Sequence, residues 1–350
     1  MNQAIDFGPA LAEFSHEISK LDLMPLWERT ARMTPGSPAA PAIWKYEQVR
    51  PLLMRATELI TKKQAERRVL MLENPKLRGT TFISNSLFAG LQIILPGEIA
   101  PSHRHSPSAL RFIVEGAGAY TAVEGERTMM YPGDFVVTPN WTWHDHGNLG
   151  SSPVVWMDGL DTPLAAIFGA MFREDHPSDT HPLTRKDGDA LARFGNSMLP
   201  VNYRSNSAGG STPMLIYPYA RTREALMKLS KSADPDPVHG YKLRYAHPGT
   251  GGHPFPTMAV CMQILPAGFS GKAARSTESA VYNVVEGRGS VRIGEAKFEF
   301  EPHDVFVVPP WEPCRFDSPG ESILFSYSDR AAQEALGFLR EQPEKFPQPV

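Results

Sequence analysis

LQIILPGEIAPSHRHSPSALRFIVEGAG, residues 91–118, is matched at a constant offset of 171 by MQILPAGFSGKAARSTESAVYNVVEGRG, residues 262–289. Both copies are short β-branched and aromatic runs closed by glycine, the signature of strands joined by tight turns. Further on, YPGDFVVTPNWTWH (131–144) answers EPHDVFVVPPWEPC (301–314) with the offset one residue shorter, which one deletion in a hairpin accounts for. A repeat of this length means that one architecture is present twice. The chain has 350 residues, more than a single hydrophobic core usually serves, so two core-forming units are expected on size alone.

Composition narrows the class. Hydrophobic residues make up 41% and charged residues 21%, ordinary globular usage, and no apolar run approaches a bilayer span. A net charge of −3 without a basic cluster lacks the electrostatic footprint of a nucleic-acid binder, so neither nucleic acid nor membrane is an expected partner. Cys261 and Cys314 are the only cysteines, which argues against a disulfide framework and fits a reducing compartment. MNQAIDFGPALAEF at the start shows no secretory pattern, and the expected location is the cytoplasm. Plentiful Pro (33) and Gly (28) suit many short strands better than a helical bundle.

Working outward, FSHEISKLDLMPLWERTARM (14–33) and YEQVRPLLMRATELITKKQAERR (46–68) space apolar residues at helical intervals, with breaks expected near Pro25 and Pro51. Residues 1–68 are therefore read as a helical N-terminal arm. TTFISN (80–85), LQIILPG, LRFIVEG, GAYTAV and DFVVTP read as strands, giving a first barrel over 69–160. Residues 161–255 read mainly as linker and packing segment with a helix near TREALMKLSK. The second barrel spans 256–328, and DRAAQEALGFLREQ places a C-terminal helix and tail at 329–350.

Side chains two apart on a strand share a face, so His103 and His105 are aimed into one barrel interior, with Arg104 turned away. His144 returns to them after the turns marked by Gly133, Pro139 and Trp141. Three buried, hydrogen-bonded core histidines are the structural alternative to a metal set. In the second copy Ala274, Ser276 and Cys314 stand where these histidines do, so no metal set survives there.

The spacing of these histidines, glycines and prolines, with PSHRHSPSALRFIVEG, WTWHDHGN, VVWMDGLD and the helical arm, resembles the cupin superfamily. Within it the likeness is to the bicupin ring-cleaving dioxygenases, most of all the gentisate 1,2-dioxygenase family with its salicylate and 1-hydroxy-2-naphthoate relatives, and it covers nearly the whole chain. The fold it implies is all-β, two tandem cupin barrels behind a helical arm. The cofactor implied is Fe(II), one per chain, held by His103, His105 and His144. The partners implied are a small aromatic acid, O2 and three further copies of the chain in a homotetramer. The resemblance also implies that Arg111, His146 and Asp158 serve catalysis, and that Arg67 clamps substrate from the arm. Gln92, with Gly90 and Phe88, is placed as a wall of the pocket.

One departure from the general cupin pattern matters. Ala109 occupies the position where many cupins place a metal-binding Glu, so three neutral imidazoles would leave the ion its full +2 charge. A substrate presenting a carboxylate and an ortho phenolate could cancel both charges while leaving a position for O2. Alternatives are kept for each residue: an outward salt bridge for Arg111, a capping loop for His146, a turn for Asp158, a solvated charge run for Arg67. For the whole chain they are a salicylate or 1-hydroxy-2-naphthoate dioxygenase, a non-catalytic metal-binding cupin, and an isomerase or decarboxylase using Mn or Zn.

Overall fold

The computed structural model describes residues 8–61, 64, 66–203 and 210–343. The chain forms two compact units, Met1–Pro35 and Gly36–Val350. In the first, a helix over Pro9–Ser19 is followed by a 3-10 turn at Leu26–Glu28 just after Pro25, and Ser15 Oγ donates to Glu28 Oε1 at 2.5 Å. The second unit holds both copies of the repeat.

Each copy folds into two antiparallel sheets facing each other, the jelly-roll form that an alternating in/out pattern produces. In the first copy, Ala109–Glu115 lies between Phe135–Thr138 and Val154–Leu160, followed by Phe88–Ile94 and Arg68–Met71. The facing sheet runs Arg173–Asp175, Ile99–His105, His144–Asn148, Ala119–Val123, Glu126–Met129. The second copy repeats this order: Val305–Val308, Ala280–Glu286, Ser322–Ser328, Ala259–Leu265 on one side, and Ala274–Ser276, Cys314–Ser318, Gly289–Ile293, Ala296–Phe300 on the other. Even the pairing of His103 with His144 recurs as Ala274 with Cys314. The one-residue slip falls in the turn after Gly116 and Gly287, which joins strands of different sheets, and so not in a hairpin. Both glycines have positive φ (84° and 81°), and a Cβ would meet a backbone oxygen at 2.3 or 2.2 Å, so the turn admits no other residue without rearrangement.

The two barrels share one core. Leu91, Phe112, Val137 and Met157 of the first pack with Val260, Met262, Val281 and Phe325 of the second, and the Phe112 and Phe325 rings stack at 4.1 Å. Reciprocal polar contacts border it. Asp161 accepts from Ser108 N (2.8 Å) and reaches across to Thr257 Oγ1 (2.5 Å), while Asp329 accepts from Ser279 N (2.9 Å) and reaches back to Ser86 Oγ (2.6 Å). Burial pushes both carboxyls up to about 6. Folded-state values above the ordinary 3.8 mean that the folded protein holds these protons more tightly, so their contribution is greatest in acid and falls as pH rises through about 6. Asp161→Ala or Asp329→Ala should each cost about 1–3 kcal/mol, the penalty for buried donors left unpaired. Thermal unfolding checks this, and an unchanged transition for both variants would remove these contacts from the account.

Several expectations need correction. TTFISN (80–85) is not a strand: Thr81 has φ 66°, and side chains of Glu73, Thr80 and Ser84 take the backbone N–H groups that a ladder would use. Pro51 sits inside the helix Tyr46–Leu59, which is held through the lost ladder bond by burial of Tyr46 and Leu53 in the shared core. Ala42–Trp44, in the expected helical arm, is an edge strand pairing with Val305–Val307 of the second barrel. The expected linker likewise adds edge strands to both barrels, Arg173–Asp175 and Ile216–Tyr217 to the first and Tyr241–Arg244 to the second. Its helix is present at Tyr219–Ser232 and buries Leu226 in the core. The C-terminal helix is short, Arg330–Leu336, stopped by Gly337 at φ 72°, and Glu341–Pro343 then pairs with Ala274–Ser276.

Candidate active site

His103 and His105 lie on Ile99–His105 and His144 on the adjacent His144–Asn148. Their ring centroids are 4.2–5.5 Å apart, and one nitrogen from each falls within 4.8 Å of the others. Arg104 points the other way, between the rings of Trp141 (4.5 Å) and Trp143 (4.6 Å) and against Glu174 (2.6 Å), and this clamp keeps its two neighbours turned inward. Trp141, at φ 58°, also donates its N–H to His105 O at 2.8 Å.

Three carbonyls set the tautomers. Nδ1 of His103, His105 and His144 lies 2.9, 2.7 and 2.9 Å from the oxygens of Pro101, Pro107 and Thr142. Each Nδ1 therefore carries the proton and each Nε2 presents a lone pair to the interior. Burial holds all three neutral: His103, further repelled by Arg67, is lowered to about 2, His105 to about 4, and His144 well below its ordinary value. His144 Nε2 is buried with no hydrogen-bond partner among the described residues. Neutral imidazoles with convergent lone pairs and an orphaned donor are what a divalent metal requires.

The expected neighbours are brought together here as well. Arg111 is 3% exposed and faces inward, with Nη1 2.5 Å from Thr138 Oγ1 and Nε 3.2 Å from Asp158 Oδ1, which excludes the outward salt bridge. The Nε contact is an ion pair without hydrogen-bond alignment, since that N–H is unsatisfied. Burial lowers the Arg111 guanidinium to about 10 against the pull of Asp158, leaving it charged at neutral pH. Asp158 also accepts from Trp156 Nε1 at 3.1 Å. It does not hold His146, whose Nδ1 is 2.9 Å from Thr121 Oγ1 and whose Nε2 is buried and unpartnered. His146 lies within a strand and is not a loop cap. Arg67 Nη1 is 2.7 Å from His103 Nε2, and burial lowers its pKa, so the solvated charge run does not describe it. Gln92 is 3% exposed and sits opposite Trp156 on the inward face, two residues from Gly90, which lies opposite Asp158. Thr121, Thr138 and Trp156 were not anticipated. Alternation could have found Trp156, two residues before Asp158 on one strand.

In the second barrel Tyr282, Phe300, Phe306 and Phe316 form one apolar cluster against which Cys314 packs. Burial pushes the Cys314 thiol up to about 12, and Ala274 and Ser276 offer no further imidazole beside it. Cys314→Ser should leave the metal content of the chain unchanged by elemental analysis; a fall to zero would relocate the site.

A jelly roll whose interior gathers three neutral imidazoles, next to a second jelly roll without them, defines a two-barrel cupin with one metal-binding pocket. Residues 90–160 match the Cupin domain model. The chain is 49% identical to gentisate 1,2-dioxygenase 1 of Aquipseudomonas alcaligenes, over 94% of this chain and 95% of that protein. It is 35% identical to 1-hydroxy-2-naphthoate 1,2-dioxygenase of Nocardioides sp. (strain KP7), over 89% and 80%. Its structure superposes on a variant salicylate 1,2-dioxygenase from Pseudoaminobacter salicylatoxidans in complex with gentisate, with a TM-score of 0.91, 32% identity and 99% coverage of both chains. The chain belongs to the gentisate 1,2-dioxygenase family of ring-cleaving oxidoreductases. Among the described residues, no helix is long and apolar enough to cross a membrane.

Proposed function

We propose that the protein opens gentisate (2,5-dihydroxybenzoate) with O2 to give maleylpyruvate, using one Fe(II) per chain held by His103, His105 and His144. The observation that carries this reading is the convergence of three neutral Nε2 donors beside the buried Arg111 guanidinium and the half-buried Arg67, which lies against His103 Nε2. When bound, iron supplies the electron transfer that joins O2 to an aromatic ring. The protein supplies charge, orientation and proton handling. Arg67 and Arg111 outweigh Asp158 by one positive charge, and three neutral ligands add none of the opposite sign. The pocket therefore favours an acid that brings a carboxylate and a phenolate together. Arg111, braced by Thr138 and Asp158, pairs with the carboxylate, and its planar fork fixes the ring's orientation.

Thr121 directs its hydroxyl proton to Met130 Sδ (3.2 Å), so His146 Nδ1 donates to Thr121 and Nε2 keeps its lone pair for a ring hydroxyl proton. Gln92 lines the wall and Arg67 closes the pocket. In this reading 69–160 carries the chemistry and 256–328 none. We extend it to a cytoplasmic homotetramer, supported by exposed Leu21, Leu23, Leu26 and Trp27 in the N-terminal unit, and the molar mass in solution tests it.

The experiment is O2 uptake by protein reconstituted anaerobically with Fe(II), with gentisate, salicylate and 1-hydroxy-2-naphthoate in parallel. One O2 per gentisate with little on the others supports the assignment, and uptake with another acid alone moves the enzyme to that relative. No uptake with any acid, iron being bound, contradicts the reading.

A further inference from the structure

The second barrel opens onto a cavity of about 610 Å3 beside Cys261, Tyr282 and Ser326, a volume suited to a small ligand. Strand register makes the correspondence with the first barrel residue by residue. Tyr282 faces Ser326 as Arg111 faces Asp158, and Cys261 stands opposite Ser326 as Gly90 does opposite Asp158. Lys242 enters from the edge strand opposite Gln263, the place Val69 holds opposite Gln92. Ala274, Ser276 and Cys314, at the positions of the metal donors, do not line this cavity, and Lys242 brings a cation into it.

That cation makes no close pair. Lys242 is half-buried on the edge strand and reaches solvent through the cavity, and among the described residues its ammonium has no hydrogen bond or ion pair; the Tyr282 ring is 5.9 Å away. Of the four acids lining the cavity, Asp234 is exposed and the other three are committed elsewhere. Glu278 is taken by Arg330 (2.9 and 3.2 Å) and Ser328 (2.7 Å), Glu334 by His253 (2.8 Å), and Asp236 by the N–H groups of Val238 and His239 (both 2.8 Å). Cys261 competes with no charge of its own, because burial raises its thiol pKa. Burial works against the Lys242 ammonium, and the Glu278 carboxylate favours it. One step deeper on the same strand face as Cys261, Gln263 is fully buried with neither amide atom partnered among the described residues. One part of the wall is apolar, formed by Ala259, Ala280, Cys261 and the Tyr282 ring, which stacks on Phe306 at 4.9 Å.

We propose that this cavity binds a small organic monocarboxylate with a planar apolar body, its carboxylate on Lys242 and its body against Tyr282, Cys261 and Ala280, with no metal involved. An ammonium without a close ion pair gains most from an anion that desolvates cheaply, and a planar body covers the apolar part of the wall better than a hydrated inorganic ion does. This second site is independent of the chemistry in the first barrel.

Equilibrium dialysis of the iron-loaded full chain against labelled benzoate, under anaerobic conditions, tests it. Lys242→Met should weaken one benzoate site per chain by at least about thirtyfold, the effect of removing one partner of a buried charge pair. Lys242→Arg should retain the site, and Cys261→Met, which keeps the charge and fills the hollow, should lose it. Unchanged binding in Lys242→Met and Cys261→Met would overturn the proposal. So would displacement of benzoate by sulfate as effectively as by unlabelled benzoate, which would leave only a bare anion site.

Discussion

Replacing His144 with alanine strips the chain of its metal and lowers turnover by at least about a thousandfold, because metal-derived stabilisation of several kcal/mol disappears and each 1.4 kcal/mol is a factor of ten. His144 is the sharpest of the three positions to test. Its ring is fully buried, its Nδ1 is occupied by Thr142 O, and its Nε2 has no partner among the described residues. Removing the ring leaves one carbonyl without a donor, so the fold should survive while metal binding does not. His146→Ala is the control: it lies two residues away on the same face, yet is assigned to proton handling. That variant should keep its metal and lose rate. Full metal occupancy in His144→Ala by elemental analysis would remove it from the ligand set.

Arg111→Leu combines the second largest loss of activity with a large loss of stability, and the two can be separated. Taking the guanidinium away leaves Asp158 buried as an uncompensated charge, which costs about 3–5 kcal/mol. If, as proposed, Arg111 pairs with the substrate carboxylate, the change also removes that fork, and kcat/KM should fall by about a hundredfold to a thousandfold. The double variant Arg111→Leu/Asp158→Leu removes both charges and should recover most of the stability without recovering activity. Thermal unfolding and steady-state kinetics on both variants check this. Normal kcat/KM in Arg111→Leu would return Arg111 to a purely structural role.

The signals legible in the sequence were those with a short period. The repeat and its alternating strands placed both barrels, and the two-residue spacing of His103 and His105, with His144 returning beside them, placed the donors. The substitutions Ala274, Ser276 and Cys314 identified the barrel that lacks them. What the sequence did not disclose depends on long-range pairing. Ala42–Trp44 and Arg173–Asp175 are too short to show a pattern and become strands only because a barrel edge is there to receive them. TTFISN has β-branched content, but its hydroxyls bind their own backbone. The partners that set the chemistry, Thr121 under His146 and Thr138 beside Arg111, lie 25 and 27 residues from the groups they hold, so spacing gave no hint of them. Lys242 looked like linker for the same reason, and its meaning appears only opposite Gln263.

The central claim is that one metal pocket in the first barrel inserts both atoms of O2 into an aromatic acid. Turnover of gentisate under 18O2 by the Fe(II)-loaded protein, with the product examined by mass spectrometry, tests it most directly. Both labelled atoms should appear in a single ring-opened molecule, and none should form with His144→Ala. A product carrying one 18O or none, or an intact ring, would contradict the account.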